Sequence, residues 1–422
     1  MTDASIPQPS ARDYRQVELD VEADKAAIID VDEWAFALHN TPEDLERRAF
    51  TPEAGRTLGI RHVPTGDLVA VHSSYAFTMA VPGGEVPTAG LTWVGVHPGH
   101  RRRGLATAML HAHLRRTAGR GEPLSALFAA EPEIHGRYGY GQAATQVAAD
   151  VPRRAALRPV PGTDDLVCTL ERLDPTRHRD VVVGVQARSV RPGRVVPSSE
   201  ALIANQLTDL DDRPKGAEPG RIAVVRDETG DPLAFAVFHR VEKWDDAGPA
   251  GTVKVAHAVT LSAAAARVLW ATLTDLDLMA TVSTPILAPD DPLFTLLVNM
   301  RAPRLRLGDN LWVRIVDVPA ALAGRRYAAP VDIVLDVTDE VFPANAGRWR
   351  LSGGPRGAEV SRTGDPADIA LDVRDLGAAY LGGPALGALE AAGLVAETTP
   401  GALAVASAAF GWHQAPVCTW IF

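Results

Sequence analysis

The segment that decides the fold, residues 91–107, is Leu91-Thr92-Trp93-Val94-Gly95-Val96-His97-Pro98-Gly99-His100-Arg101-Arg102-Arg103-Gly104-Leu105-Ala106-Thr107. Its first part is apolar, as in a strand, and apolar residues recur at helical spacing from Leu105 to about Thr117. The unpaired N–H groups and the positive dipole end at the start of a helix favour an anion. Gly104 and the small Ala106 let the anion approach the backbone, and three arginines add charge-assisted hydrogen bonds. We therefore predict a binding turn for a pyrophosphate group.

A solvated basic surface in front of an ordinary helix is the alternative interpretation of the three arginines. Here they lie between an apolar strand and a helix opened by glycine, and this placement favours the anion site. The segment contains neither the Gly-Lys-Ser/Thr of a P-loop nor the Gly-x-Gly-x-x-Gly of a dinucleotide fold. The pattern therefore excludes both of these nucleotide-binding classes.

The predicted elements around this turn alternate between strand and helix. The first block contains a helix within 22–39, strands at 56–63, 68–81 and 86–96, the helix 105–117, a strand at 124–130, a short helix and the turn 139–141. The second block repeats this order more weakly, with strands at 221–225, 232–241 and 251–259 and a helix at 262–273. The third block has strands at 311–316, 331–337, 348–351, 358–361 and 369–373, followed by short helices.

The length of 422 residues indicates about three domains at roughly 150 residues per domain. We predict an α/β (α+β) chain with domains at 1–155, 156–302 and 303–422, the second being a degenerate copy of the first. The net charge of −10 argues against a nonspecific nucleic-acid binder and weakly favours cationic substrates. Two distant cysteines suggest a reducing cytoplasm, and the absence of a long apolar run predicts no membrane span.

The turn resembles the acetyl-CoA loop of the GNAT acetyltransferases, whose pattern is Gln/Arg-x-x-Gly-x-Gly/Ala after a bulged strand. In that fold the strand before the loop splays from its neighbour, and the pantetheine chain lies in the gap. The resemblance implies pantetheine and thioester contacts at Val94, Gly95 and Val96. It implies pyrophosphate contacts along the turn, at Arg102, Arg103, Gly104, Leu105, Ala106 and Thr107, with Arg101 at the edge.

A second motif, His135-Gly136-Arg137-Tyr138-Gly139-Tyr140-Gly141, extends the resemblance together with the chain length and the aromatic C-terminus. These features look like the Eis family, in layout over the whole chain but in motif only at residues 91–107 and 134–141. The resemblance implies two GNAT-type domains in tandem, a C-terminal sterol-carrier-like domain, and hexamers. It also implies acetylation of amines on polycationic molecules such as aminoglycosides, or on lysine side chains, with further cofactor contacts at His135 and Gly136.

Acetyl transfer to an amine needs a base for the ammonium, donors for the oxyanion and an acid for the departing thiolate. The resemblance points to Tyr140 as the acid, although a core aromatic beside a turn is the alternative. It points to the α-carboxylate of Phe422 as the base; such a group has a reference pKa of about 3.3–3.7 and needs desolvation. A docked apolar tail is the alternative there. The rival bases are His97, His100, His111, His113 and Glu131, and we expect His111 and His113 to face solvent or a neighbour.

The second domain departs from the pattern, since Thr260 to Arg267 contains no glycine and no Arg-x-x-Gly. We therefore predict one acetyl-CoA per chain and no metal. Trp34 and Phe36 are candidate acceptor contacts, and nearby Asp30, Asp32 and Glu33 either attract an ammonium group or form a solvated acidic face. The competing functions are a carrier of hydrophobic ligands and a non-catalytic assembly protein, each with acetyl-CoA as regulator.

Overall fold

The computed structural model describes residues 13–197, 199–208 and 217–422. The elements of the first block are β1 (Tyr14–Glu18), α1 (Lys25–Phe36), α2 (Pro42–Arg47), β2 (Leu58–His62), β3 (Leu68–Val81), β4 (Gly84–Val96), α3 (Leu105–Gly119), β5 (Leu124–Phe128), α4 (Pro132–His135), β6 (Gly141–Gln142) and β7 (Thr145–Pro152). Those of the second are β8 (Val167–Arg172), α5 (Pro175–Arg188), β9 (Val195–Pro197), α6 (Glu200–Leu207), β10 (Arg221–Arg226), β11 (Pro232–Val241), β12 (Trp244–Asp245), β13 (Gly248–Pro249), β14 (Gly251–Thr260), α7 (Ala263–Thr274), β15 (Met279–Leu287) and α8 (Pro292–Leu296). The third block contains β16 (Arg304–Asp309), β17 (Leu311–Ile315), α9 (Val318–Ala323), β18 (Val331–Thr338), β19 (Gly347–Gly354), β20 (Gly357–Arg362), β21 (Ile369–Asp372), α10 (Val373–Ala379), α11 (Leu386–Ala391), β22 (Val395–Glu397) and α12 (Ala402–Phe410).

The first sheet is built around the long hairpin of β3 and β4. Its strand order is β1-β2-β3-β4-β5-β17-β6, with β9 on β3. Most residues of β3 are buried on both faces, because α1 and α3 contact the hairpin and the second domain adds an apolar layer. Such burial explains why this strand has a nearly continuous apolar sequence rather than strict alternation.

The second sheet repeats this plan, in the order β16-β7-β15-β14-β11-β10-β8. Here β14, α7 and β15 form a parallel crossover, as β4, α3 and β5 do in the first sheet. The predicted repetition of the element order is therefore present in three dimensions. Several predicted strands have the same bounds in the structure, among them 68–81 and 232–241.

The two sheets exchange strands, so neither is contiguous in sequence. Strand β7 belongs to the first block but pairs with β15 and β16 in the second sheet. Strand β17 belongs to the third block but pairs with β5 and β6 in the first sheet. The division at 1–155, 156–302 and 303–422 stays a prediction, and any cut near these positions separates paired strands.

The third block forms a five-stranded sheet in the order β20-β19-β18-β21-β22, covered by helices α9 to α12. Its interior contains the fully buried guanidinium of Arg325, which lies over the rings of Tyr327, Tyr380 and Phe410 at 4.8, 5.7 and 4.9 Å. One hydrophobic cluster runs through all three blocks, which therefore pack together tightly. Within the described residues no helix has the length and apolar character to cross a membrane.

The elements that the sequence prediction missed include four that bear on the site or on the exchange of strands between the sheets. Strand β1 lies in the polar leader, and strands β7 and β16 and helix α5 lie where no element was assigned. The edge strand β16 is mostly exposed, and β7 consists largely of small residues, so neither shows the strong apolar pattern of a core strand.

Candidate functional site

Strand β4 carries a bulge just before the predicted anion turn. The register with β3 shifts so that two residues, Trp93 and Val94, lie opposite His72 alone. Trp93 has a positive φ of 54°, and its indole N–H donates to Thr51 and Tyr75 at 3.1 and 3.2 Å. The bulge therefore redirects the backbone at residues 93–94, at the start of the segment 94–96, whose backbone N–H groups are the candidate donors for an oxyanion.

Strands β4 and β5 separate beyond this region. Their parallel ladder covers only residues 88–90 of β4 and 124–126 of β5, although β4 continues to Val96. On its other side β5 stays paired with β17 as far as Phe128. The separation leaves the end of β4 without β5 as a partner, as expected for a strand pair that admits a pantetheine chain.

Helix α3 begins without a side-chain cap. Its N-cap residue, Gly104, has a φ of 76°, and the first intrahelical hydrogen bond runs from Ala108 N–H to Gly104 at 3.0 Å. The N–H groups of Leu105, Ala106 and Thr107 therefore have no acceptor within the helix. Together with the exposed side chains of the preceding arginines, they supply the hydrogen-bond donors that the predicted anion site requires.

Arg103 is positioned by a residue that the sequence prediction missed. Its guanidinium donates to the Tyr14 hydroxyl at 2.8 Å and lies 5.8 Å from the centre of that ring. The same hydroxyl is 3.0 Å from Nδ1 of His100. Tyr14 lies on β1, and a single tyrosine in a polar leader offers no motif that could reveal this role.

Tyr140 is completely buried, and its hydroxyl belongs to a polar chain. It lies 2.8 Å from Oγ of Ser125, which is 2.8 Å from Nε2 of His113 and donates to the Ala89 carbonyl at 3.2 Å. Burial raises the pKa of the Tyr140 phenol above its usual value and lowers that of His113 well below its own. His113 therefore faces a neighbouring strand rather than solvent, the second of the two expected placements, because α3 packs it against β5.

The turn 136–139 before Tyr140 is held from both sides. The buried Tyr138 hydroxyl is 2.9 Å from Oγ1 of Thr107, one of the predicted pyrophosphate contacts. On the other side, a Cβ on Gly139 would come within 2.7 Å of Nε of Arg314. Arg314 is fully buried and makes a two-pronged ion pair with Asp339 at 2.8 Å. The third block therefore supports the turn directly.

Four other predicted cofactor contacts have structural neighbours that the sequence did not indicate. A Cβ on Gly95 would lie 3.0 Å from Cβ of Ala35, so this glycine lets α1 pack closely on β4. Val94 packs in the same cluster as Tyr140. The His135 ring is 6.1 Å from that of Tyr140, its Nδ1 is buried without a partner, and burial lowers its pKa to about 4. A side chain on Gly136 would contact Arg374 of the third block.

The chain end lies at the separation of β4 and β5. The ring of Phe422 is 4.7 Å from that of Phe77 and 5.4 Å from that of Phe128. A Cβ on Gly90 would overlap the Phe77 ring and come within 3.1 Å of the Phe422 ring, so glycine at this position leaves room for both rings. The structure therefore brings residue 422 to the strand pair predicted to hold the thioester.

A continuous set of contacts holds the final residues in place. Asn310 exchanges two hydrogen bonds with the Cys418 backbone at 2.7 and 3.0 Å, and Gln206 donates to the Ile421 carbonyl at 2.9 Å. Between them the Trp420 side chain is completely buried. The chain end is thus anchored by residues of the second and third blocks before it reaches the first sheet.

Tyr140 and Phe422 approach the strand pair from opposite faces. Ser125, the partner of Tyr140, pairs with Ala89, whereas the Phe422 ring contacts the next position, Gly90. Side chains of consecutive strand residues point to opposite faces of a sheet. The candidate acid and the candidate base are therefore placed on different sides of the same gap.

The rim of the site contains the predicted acceptor contacts on α1. Trp34 and Phe36 are exposed, and the Trp34 ring lies 4.9 Å from that of His97 in the anion turn. Burial, with the neighbouring charge of Glu33, raises the pKa of Asp32 to about 6. Aromatic rings and carboxylates thus occur together beside the turn.

The rival bases lie in different surroundings. His97 and His100 are part of the turn and contact each other at 5.7 Å between ring centres, while Glu131 is exposed. His111 is half-buried, with its ring 6.0 Å from that of Tyr138. Among the described residues no group of histidine, cysteine or acidic side chains is arranged to hold a metal ion.

The corresponding turn of the second domain is capped by the protein itself. Ser262 precedes α7, and its hydroxyl accepts the N–H of Ala265 at 3.1 Å. Because a side chain already occupies this helix end, the prediction of one acetyl-CoA per chain fits the local geometry, although it stays a prediction.

Family models and relatives agree with this architecture. Models described as acetyltransferase (GNAT) domain match residues 14–143 and 200–315, and a sterol carrier protein domain model matches residues 318–419. An uncharacterised N-acetyltransferase of Streptomyces avermitilis is 42% identical over 89% of this chain and 91% of its own length. The N-acetyltransferase Eis of Mycobacterium bovis is 36% identical over 78% of this chain and 79% of its own length. The chain belongs to the Eis family.

A solved Eis structure gives the same result in three dimensions. The crystal structure of Eis1 from Mycobacterium abscessus superposes with a TM-score of 0.81 at 32% identity, covering 97% of this chain and 100% of that one. The predicted Eis fold, two GNAT domains followed by a sterol-carrier-like domain, is confirmed. As a member of the Eis family, the chain is an N-acetyltransferase.

Proposed function

We propose that this Eis-family chain transfers an acetyl group from acetyl-CoA to a primary amine of a polycationic small molecule, with lysine side chains as further acceptors. The observation that carries the proposal is the position of Phe422. Its ring lies where β4 and β5 separate, against Phe77 and Gly90. A terminal carboxylate beside a thioester site has a direct use in amine acetylation, as a proton acceptor.

The residues of the first domain suit acetyl-CoA as the acetyl donor. The free N–H groups of residues 105–107 and the arginine side chains suit the pyrophosphate, and the gap between β4 and β5 suits the pantetheine chain. Acetyl-CoA supplies an activated acetyl group as a thioester. The backbone at Trp93 and Val94 is turned by the bulge and supplies candidate donors for the oxyanion.

The proposed reaction moves three protons. The Phe422 carboxylate takes one from the acceptor ammonium, and the free amine nitrogen forms a bond to the acetyl carbon. The carbon–sulfur bond then breaks, the thiolate receives a proton from Tyr140, and the nitrogen loses its second proton, which restores the phenol and leaves a neutral amide. Because burial raises the pKa of this phenol, it is protonated at neutral pH. In the structure its hydroxyl contacts Ser125, and proton donation requires it to exchange this partner for the sulfur.

The rim of the site supports a cationic acceptor. Trp34 and Phe36 offer exposed aromatic faces, which attract ammonium groups. Asp32 is ionised above a pH of about 6 and lies on the same helix, so it adds attraction at neutral pH. A molecule with several amines can use both features while one amine reaches the chain end.

The carrier alternative has less support. A carrier of hydrophobic ligands needs an apolar interior in the third block, and there the guanidinium of Arg325 occupies the space between three aromatic rings. We further propose a cytoplasmic location, supported by the free thiols of Cys168 and Cys418, and a hexamer. The exposed leucines of the edge strand β16, Leu305 and Leu307, are candidate contacts between subunits.

A thiol-release assay tests the proposal. Acetyl-CoA is mixed with the chain and an aminoglycoside, a linear polyamine or a lysine-containing peptide, and the products are examined by mass spectrometry. We expect thiol release with N-acetylated product from the polycationic amines, and none from the same amines after chemical blocking of their amino groups. If none of the free amines releases thiol above the buffer rate, the proposed acceptor class is wrong.

A further inference from the structure

A cavity of about 290 Å³ lies in the second domain, where β14 and β15 separate. The parallel ladder of these strands covers residues 251–254 and 279–283. Beyond it, the cavity is lined by residues 258–263 at the start of α7 and by residues 286–288 of β15. It therefore occupies the position that the β4–β5 gap has in the first domain. The C-terminal segment closes one side through Gln414, Val417 and Thr419.

Two hydrogen-bond acceptors at this cavity have no partner. Gln186 is 2% exposed and lines the cavity, and its Oε1 accepts no hydrogen bond. Oε1 of Gln414, another residue of the lining, also has no hydrogen-bond partner. Buried polar atoms in folded proteins nearly always have a hydrogen-bond partner. A ligand that satisfies both must carry N–H or O–H donors.

The charged groups around the cavity favour an anion. Three arginines line it: Arg188, Arg191 and Arg194. Each makes an ion pair with a carboxylate outside the lining, with Asp231, Asp290 and Glu85 respectively. A guanidinium has five N–H donors, so these pairs leave further donors for a ligand. The lining itself contains one carboxylate, Asp291, one of whose oxygens accepts the Leu293 N–H at 2.9 Å.

Helix α7 adds to the positive potential of the cavity. Ser262 caps the N–H of Ala265, but the N–H groups of Ala263 and Ala264 have no acceptor within the helix. The positive dipole end of this 12-residue helix therefore faces the cavity. The cavity volume of about 290 Å³ is close to the lower end of the range for ligand sites, roughly 300–1,000 Å³. The cavity is therefore too small for a whole coenzyme A molecule.

We propose that this cavity binds a short chain with amide or hydroxyl donors along its length and an anionic group at one end, of the 4′-phosphopantetheine type. The amide and hydroxyl groups satisfy Gln186 and Gln414, and the anion is held by the arginines. The C-terminal segment, which continues from Thr419 to Phe422, forms part of the wall. The site is separate from the proposed active site and does not depend on its function.

Calorimetric titration of the full chain with 4′-phosphopantetheine tests the proposal, in the presence of saturating coenzyme A to fill the first domain. We expect one molecule of 4′-phosphopantetheine bound per chain. Pantetheine, which lacks the phosphate, and inorganic phosphate, which lacks the amide chain, should each bind at least about tenfold more weakly. If no phosphopantetheine binds, or if phosphate alone binds equally well, the proposal is wrong.

Two variants locate the binding. Gln186→Met and Gln414→Met should each weaken phosphopantetheine binding at least about tenfold, because a ligand donor loses its acceptor. Gln414→Met should leave the midpoint of thermal unfolding of the free protein unchanged or raised, because an unpaired buried acceptor is removed. Gln186→Met also removes the hydrogen bond that Nε2 donates to the Val195 carbonyl at 3.4 Å, so its midpoint should fall slightly. Gln16→Met, at an exposed position on β1, is the matched control. Equal binding by the two variants and the control would place the ligand elsewhere, for example in the first domain, and would overturn the proposal.

Discussion

Adding one residue after Phe422 removes its carboxylate from the chain end while keeping its ring. The ring contacts Phe77, Phe128 and Tyr75, at 4.7, 5.4 and 6.4 Å between ring centres. If a single glycine is added, the Phe422 ring keeps these contacts, and the terminal carboxylate is moved beyond the site. The extension thus tests the proton-accepting role without disturbing the packing.

The expected loss of activity follows from the usual contribution of a positioned base. General acid–base catalysis contributes about 10²–10⁴ in rate. We therefore expect the extended chain to lose at least about 100-fold in kcat/KM, equivalent to about 2.7 kcal/mol of transition-state stabilisation. The free energy of unfolding should change by less than about 0.5 kcal/mol, as for other surface changes.

A second variant makes the opposite change, because it removes the ring and keeps the carboxylate. Phe422→Ala keeps the terminal carboxylate but removes a half-buried ring that makes three aromatic contacts. Truncation of a fully buried phenylalanine costs about 3–5 kcal/mol, so partial burial suggests about 2 kcal/mol here. Part of the activity should remain, because the base is still present near its position.

The assay is thiol release from acetyl-CoA with a saturating polyamine, with urea unfolding measured in parallel. Ile421→Ala, which changes a largely exposed side chain next to the chain end, serves as the control and should stay close to the wild type. If the glycine-extended chain turns over at the wild-type rate, Phe422 only packs against the core, and another group is the base.

Four further predictions concern the rest of the molecule. Gly104→Val places a side chain at a φ of 76° in the turn before α3 and should raise the KM for acetyl-CoA at least about tenfold in steady-state assays. Gly121→Val is the control, because Gly121 has a similar φ and open space around it, and it should leave this KM unchanged. Tyr140→Phe should lower kcat about 100-fold with little change in the KM for acetyl-CoA; an unchanged kcat would assign the hydroxyl a structural role. Arg314→Met leaves a buried carboxylate without its cation and should lower the free energy of unfolding by about 3–5 kcal/mol in urea titrations. Burial raises the pKa of Asp32 to about 6, so its charge is present above that pH and lost below it; the KM of a polyamine should fall between pH 5 and 7, and Asp32→Asn should abolish this dependence.

Much of the first domain could be predicted from residues close together in sequence. The apolar run 68–81 and the turn before Leu105 indicate their structures directly, because strand periodicity and a glycine at a helix start are local properties. The environment of Tyr140 could not be predicted in this way. Its partners, Ser125 and His113, are on another strand and a helix, and no local pattern of residue types indicates that they form a buried polar chain with it.

The sequence by itself determined the anion turn, the repeated order of elements and the family, since each depends on residue types at short spacing. Only the tertiary structure decided that β7 and β17 change sheets and that Tyr14 holds Arg103. It alone also placed residue 422 at the β4–β5 gap. These features join residues that are far apart in the chain, and which distant surfaces meet depends on how the whole core packs rather than on any local pattern.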